Sequence, residues 1–179
     1  MICSCVVPSR GRPFALFALI HTLNESGNPD NFEVVIRLDE DDNKTLAYRA
    51  TFNGFKNVKL VVGKRLGYGG FSTMCQEAVN ASSGKWIWFL TDDCVIGGKN
   101  FDQQFDKIPP FGRIVQPEIS RLGGSTYIKW EGSNYPALPK ESLRGIDCSF
   151  TDTGLDEYFR LRNGWTTAFL EGITAWHLQ

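Results

Sequence analysis

The sequence is short of the residues that mark several common functional classes. Its five cysteines (Cys3, Cys5, Cys75, Cys94 and Cys148) form no Cys-x-x-Cys pair, and an odd number leaves one over in any disulfide scheme. With only two histidines, His21 and His177, a Cys/His zinc site has little to draw on. Buried free thiols are the expected use, which points to a reducing compartment, the cytoplasm. Excess charge is lacking too: 19 Lys and Arg stand against 20 Asp and Glu, for a net charge of −1. Such a chain has no basic field to attract nucleic acid, which is excluded as an expected partner. Long apolar runs are also missing. Residues 14–20 form the longest near the start, lie inside a helical pattern, and are too few to span a bilayer. They lack the cleavage site of a signal peptide, so no integral membrane segment is expected. Repeats, low-complexity tracts and linkers are absent.

What is present suits one globular domain. A chain of 179 residues with 42% hydrophobic content has material for one substantial core. Residues 2–7 form an apolar run stopped by Pro8, as a buried strand would. Residues 13–23 read as a helix with Pro13 in the first turn and Leu16, Leu19, Ile20 and Leu23 on one face. Strands are predicted at 32–38, 58–62 and 86–90, the last apolar throughout and therefore central. A weaker helix follows the second strand. Thr73-x-x-Gln76 matches a capping box opening another helix, with Gly84 at its end. This alternation predicts an α/β fold with a mostly parallel sheet and flanking helices. The second half is less regular: strands are expected at 114–118, 125–130 and 166–177, with a helix from Thr153 towards Gly164.

In such sheets ligands bind beyond the carboxyl ends of the strands, where this chain gathers its unusual polar clusters. Ser9-Arg10-Gly11-Arg12 ends the first strand, and Arg forks suit phosphate oxygens, although surface Arg pairs are also ordinary. Asp39-Glu40-Asp41-Asp42 ends the second. It fails the calcium-loop pattern, since Lys44 replaces the sixth-position Gly and Ala50 the twelfth-position Glu. Either it is an acidic helix start, or Asp39 hydrogen-bonds a nucleoside. Lys64-Arg65-Leu66-Gly67-Tyr68-Gly69-Gly70 ends the third: a plain turn, or an anion cradle at a helix start. Thr91-Asp92-Asp93-Cys94 ends the fourth. Two adjacent carboxylates repel unless a cation, a proton or basic groups compensate, and Mg²⁺ or Mn²⁺ is commonly held by one or two carboxylates with substrate phosphates. The other reading is a solvated turn.

In order and spacing these clusters resemble the family-2-like glycosyltransferases of the GT-A type. The run from Val6 through Pro8, Ser9, Arg10 and Arg12 looks like the family's first strand and nucleotide loop. Asp39 matches its nucleoside-binding acid, and Arg65, Gly67, Gln76 and Ala78 match its Gly-rich turn and following helix. Phe89-Leu90-Thr91-Asp92-Asp93 is similar to its DXD signature, with Thr91 in place of the first Asp. The segment from Asp156 to Gly164 is similar to its acidic–helix–Arg–Gly stretch, and His177 matches its late metal-site histidine. The resemblance implies a GT-A, Rossmann-like fold with a nucleotide-binding half at 1–94 and a smaller, mixed acceptor half at 95–179. It implies transfer of a sugar from a UDP- or GDP-type donor to a saccharide or other hydroxyl, with inversion. Asp93 and His177 would hold Mn²⁺ or Mg²⁺, with Asp92 beside them on the donor. Asp156 would be the base and Asp152 the second candidate, because Thr153-Gly154 stands where the family has a Glu-Asp pair. Trp130 and Tyr135 would offer aromatic faces to the acceptor. A sugar-phosphate nucleotidyltransferase and a non-catalytic sugar-nucleotide or glycan-binding module are the alternatives.

Overall fold

The structure is a computed structural model that describes residues 1–121, 135–144 and 164–177. Strands β1 (Cys3–Ser9), β2 (Phe32–Asp39), β3 (Val58–Gly63) and β4 (Trp86–Phe89) alternate with helices α1 (Pro13–Ser26), the short pair α2 (Asn43–Leu46) and α3 (Arg49–Asn53), and α4 (Phe71–Ala81). Then follow β5 (Cys94–Gly97), α5 (Phe101–Lys107), β6 (Arg113–Arg121), β7 (Ala137–Pro139) and β8 (Thr166–His177). They form an eight-stranded sheet in the order β3-β2-β1-β4-β7-β6-β8-β5. β1, β2, β3 and β4 run parallel, as does β6 with β8; β7 and β5 are the antiparallel insertions.

The apolar runs become buried strands because both faces of the sheet are covered. On one face Cys3, Cys5, Val7, Trp86 and Trp88 pack against Leu16, Leu19, Ile20 and Leu23 of α1 and Phe101 and Phe105 of α5. On the other, Val6, Val35 and Ile87 meet Ala78 and Val79 of α4 and Leu143. Burying each such side chain contributes about 1.5–3 kcal/mol. Cys3 and Cys5 are buried thiols, as expected. Trp88 is fully buried against both Phe rings and donates its indole N–H to the Tyr135 carbonyl at 3.0 Å.

Three local expectations need correction. α4 starts at Phe71 with Gly70 in the capping position and no side-chain cap, because a 3-10 turn at Tyr68–Gly70 feeds the helix early. Thr73 therefore falls inside the first turn rather than at its cap. The helix ends at Ala81, where Ser82 Oγ donates back to the Ala78 carbonyl at 2.7 Å. Gly84 lies beyond, donating its N–H to Ser4 Oγ at 2.8 Å. Tyr135 is buried rather than presented to an acceptor. Trp130, the 125–130 strand and the helix from Thr153 lie outside the described residues.

The base of the sheet carries a buried acid. Glu33 Oε1 accepts from Ser4 Oγ (2.6 Å), Ser83 Oγ (2.7 Å) and Ser83 N–H (2.5 Å). Burial alone pushes the carboxyl up, but these donors and nearby Lys59 outweigh it and hold it below its ordinary value of 4.5. The folded-state pKa is thus the lower one, so the stabilisation is complete above pH 4.5 and is lost as pH falls through the folded value. Glu33→Gln is expected to cost about 1–3 kcal/mol at neutral pH. In thermal melts the gap to wild type should close at acid pH; a gap unchanged at pH 3 would mean the carboxylate charge is not what stabilises.

Candidate donor site

Strand order places the site. Successive connections move from β1 out to β2 and β3, then return across β1 to β4, which leaves a crevice beyond the carboxyl ends of β1 and β4. Ser9, at the end of β1, spans that crevice by donating Oγ–H to Asp92 Oδ2 at 2.7 Å. Arg12 Nη1 reaches Asp92 Oδ1 at 3.2 Å and Asp93 Oδ2 at 2.8 Å. His177 arrives from the far end of the chain because β5 and β8 pair with Cys94 opposite His177. Its Nε2 lies 3.3 Å from Asp93 Oδ2.

The adjacent carboxylates are driven apart electrostatically. Burial, aided by the neighbouring Asp93 charge, raises Asp92 above its ordinary value despite Ser9 and Arg12. Burial also pushes Asp93 up, but the nearby Thr91 hydroxyl, His177 and Arg12 outweigh it and hold Asp93 below the usual range. Thr91 Oγ also lies within hydrogen-bond distance, 3.2 Å, of the Tyr135 hydroxyl. Among the described residues, Asp93 Oδ1 is buried without a hydrogen-bond partner.

A second cluster stands at the end of β2. Arg10 Nη1 donates to Asp39 Oδ2 at 2.9 Å and also pairs with Asp41, whose carboxyl is held low chiefly by that contact. Gly11 turns the chain with φ +72°, a region other residues enter at a cost. Its N–H donates to Asp42 Oδ2 at 2.8 Å, while Asp42 Oδ1 caps α2 by accepting from Thr45 N–H at 3.1 Å. Asp42 is the helix cap, as the first reading of the acidic segment has it, and Asp39 is a buried acid at the end of β2, paired with arginines. Arg65 approaches Asp41 at 3.6 Å, and Gly67 lies in the next turn with φ +67°.

The structure thus gathers Ser9, Arg12, Asp92, Asp93 and His177 in one cluster, and Arg10, Asp39 and Arg65 around Asp41 in another. Pro8 lies within β1, paired with Arg37 of β2. Gln76 sits in the second turn of α4, where its amide donates to Asn80 Oδ1 at 3.0 Å. His21 is exposed on α1 and stacks on Phe17. Asp152 and Asp156 lie outside the described residues. Sequence reasoning missed Arg37 and Glu77, which meet in a 2.6 Å ion pair behind Asp39. The available signal was an Arg inside a mostly apolar strand, two residues before an Asp.

Metal capacity is limited but specific. Among the described residues no three carboxylate, imidazole or thiol groups converge as a ready-made site. Mg²⁺ and Mn²⁺, however, are often held by few protein ligands plus phosphate oxygens. The orphaned Asp93 Oδ1 and the neighbouring His177 imidazole fit an ion of that kind.

The sequence profile of glycosyl transferase family 2 matches residues 4–160. The chain belongs to this family. No curated protein matches the sequence. Among solved structures, S. aureus TarS 1–349 is similar at TM-score 0.74 and 15% identity, with 99% of this chain and 60% of that one covered. Its complex with UDP-GlcNAc is similar at TM-score 0.73 and 16% identity, covering 100% and 59%. GalNAc-T7 with UDP, GalNAc and Mn²⁺ is similar at TM-score 0.74 and 13% identity, covering 99% and 43%. These likenesses establish the GT-A fold, and the chain spans about 60% or less of the chains in those three structures. As a family-2 member it has the mixed α/β architecture expected from its sequence. No helix among the described residues is long and apolar enough to cross a membrane.

Proposed function

We propose that this chain transfers a sugar from a nucleotide-diphosphate donor, of the UDP or GDP type, to a saccharide or other hydroxyl acceptor, with inversion. The observation that carries the reading is a pair of clusters at the carboxyl edge of the sheet: Asp92, Asp93 and His177 with Ser9 and Arg12 beyond β1 and β4, and Asp39 with Arg10 beyond β2. Residues 1–94 form the donor half, and 95–179 the acceptor half. Asp39 and the loop from Ser9 to Arg12 take the nucleoside side, and Arg12 and Arg65 meet phosphate charge. Asp93 and His177 hold Mn²⁺ or Mg²⁺; such an ion offsets the charge of the diphosphate leaving group. Arg12, exposed over half its side chain, is free to exchange Asp93 for a phosphate oxygen. Asp156, or failing it Asp152, takes the proton from the acceptor hydroxyl. The UDP and UDP-GlcNAc held by TarS support a nucleotide-sugar donor.

The test is calorimetric titration with UDP, GDP, CDP and dTDP, with and without Mn²⁺. Micromolar binding of one nucleotide, strengthened at least tenfold by Mn²⁺, is expected. Absence of binding for all four, with and without metal, would remove the donor-site reading. Tight donor binding with no hydrolysis or transfer across an acceptor panel would instead make the chain a sugar-nucleotide-binding module.

A further inference from the structure

Arg37 interrupts the apolar run of β2, and its side chain is completely buried on the α4 face of the sheet. A guanidinium in such a place is tolerated only when its charge and N–H groups are met. Four of its five N–H groups have partners. Nε–H donates to Glu77 Oε2 of α4 at 2.6 Å. Nη1 donates to the Leu38 carbonyl and to Asp39 Oδ1, each at 2.8 Å. Nη2 donates to the Lys64 carbonyl at 2.7 Å, at the root of the glycine-rich loop. The neighbouring strand leaves room for this: a β-carbon on Gly63 would lie 2.8 Å from Arg37 Nη2 and 3.1 Å from Glu77 Oε2. Glycine there leaves the guanidinium its path from β2 to the loop beyond β3, and any side chain would force it to shift.

Asp39 is therefore shared by two arginines of different freedom. Buried Arg37 holds Oδ1, and Arg10, with 38% of its side chain exposed, holds Oδ2. Arg10 can swing into solvent, whereas Arg37 is fixed by three further acceptors. Oδ2 is the oxygen that Asp39 can release to a ligand.

We propose that Arg37 is a positioning residue that fixes the Asp39 carboxylate, with Oδ2 towards the donor nucleoside, and ties it through Lys64 to the glycine-rich loop. The nucleoside half of this rests on the donor-site reading; the loop half does not.

The test combines a double-mutant cycle with amide hydrogen exchange. Affinities for UDP and GDP are measured for wild type, Arg37→Met, Asp39→Asn and the double variant, and exchange over residues 63–70 is followed in the ligand-free proteins. Arg37→Met and Asp39→Asn are each expected to weaken nucleotide binding at least tenfold. The double variant should bind no more weakly than the poorer single, because Arg37 acts through Asp39. Ligand-free Arg37→Met should exchange at least tenfold faster across the loop. Losses that multiply in the double variant, or loop exchange like wild type, would overturn the proposal. If wild type binds neither nucleotide, with or without Mn²⁺, the UDP- or GDP-type donor reading falls, and loop exchange alone decides whether Arg37 ties the loop. Should Arg37→Met not fold, Arg37→Lys takes its place in the same cycle. It keeps the charge but cannot span all four acceptors, so the same losses are expected, and wild-type affinity and exchange would count against the proposal.

Discussion

Asp93→Ala is expected to lower transfer by roughly 10³-fold while leaving the fold intact. The size follows from the role: charge stabilisation of a leaving diphosphate contributes several kcal/mol, and each ~1.4 kcal/mol is tenfold in rate. The fold should tolerate the change, because one carboxylate oxygen of Asp93 has no hydrogen-bond partner to lose among the described residues. Arg12 also keeps its second acceptor, Asp92. Removing a like charge from beside Asp92 should lower the proton affinity of that buried carboxyl, which the Asp93 charge helps to raise. Steady-state kinetics with a melting curve check the claim. Mn²⁺ should cease to strengthen nucleotide binding in the variant. Retained activity, or activity lost only in step with thermal stability, would reduce the acidic pair to a structural turn.

Much of this site was legible because parallel strands buried on both faces leave strong marks. β1, β2, β3 and β4 appear as short, mostly apolar runs, broken by Ser4, Glu33, Arg37 and Lys59, and each ends in a polar cluster at the same edge of the sheet. Periodicity finds such strands, and topology then places their ends together. The short insertions were invisible for a physical reason. β7 has three residues bounded by prolines, and becomes a strand only because β4 and β6 flank it. β5 has only four residues, too few to show a period, and it becomes a strand by pairing with β8. Yet that pairing is what carries His177 to Asp93, across a separation that no local pattern encodes.

Arg37 was missed for the opposite reason. Its position in β2 reads as one more residue of a buried strand, and a single polar intrusion carries no period. Its partners, Glu77 and the Lys64 carbonyl, lie 40 and 27 positions away. Only packing of α4 against the sheet reveals that the intrusion is paired. Arg10 and Arg12 show the same limit: the sequence presents two cations at a strand end, and the structure alone assigns Arg10 to Asp39 and Arg12 to Asp92 and Asp93.

The base assignment yields the second large effect. An acceptor hydroxyl must lose its proton as it attacks, and a positioned carboxylate contributes about 10²–10⁴-fold to such a step. Among the described residues the carboxylates of the crevice are already engaged, Asp39 and Asp92 by arginines and Asp93 by Arg12 with His177 beside it. A base drawn from the acceptor half avoids competing with them for the donor. Asp156→Asn is therefore expected to lower kcat by 10²-fold or more, taking roughly the low end of that range, with KM for the donor and nucleotide affinity within about threefold of wild type. Asp152→Asn should leave most of the activity. The split matters more than the loss: a fall in nucleotide affinity would place Asp156 with the donor, not the acceptor. A reversed pattern, with Asp152→Asn the inactive variant, would move the base four residues upstream. Activity surviving both substitutions would remove a base from this segment, leaving proton removal to another group or to solvent.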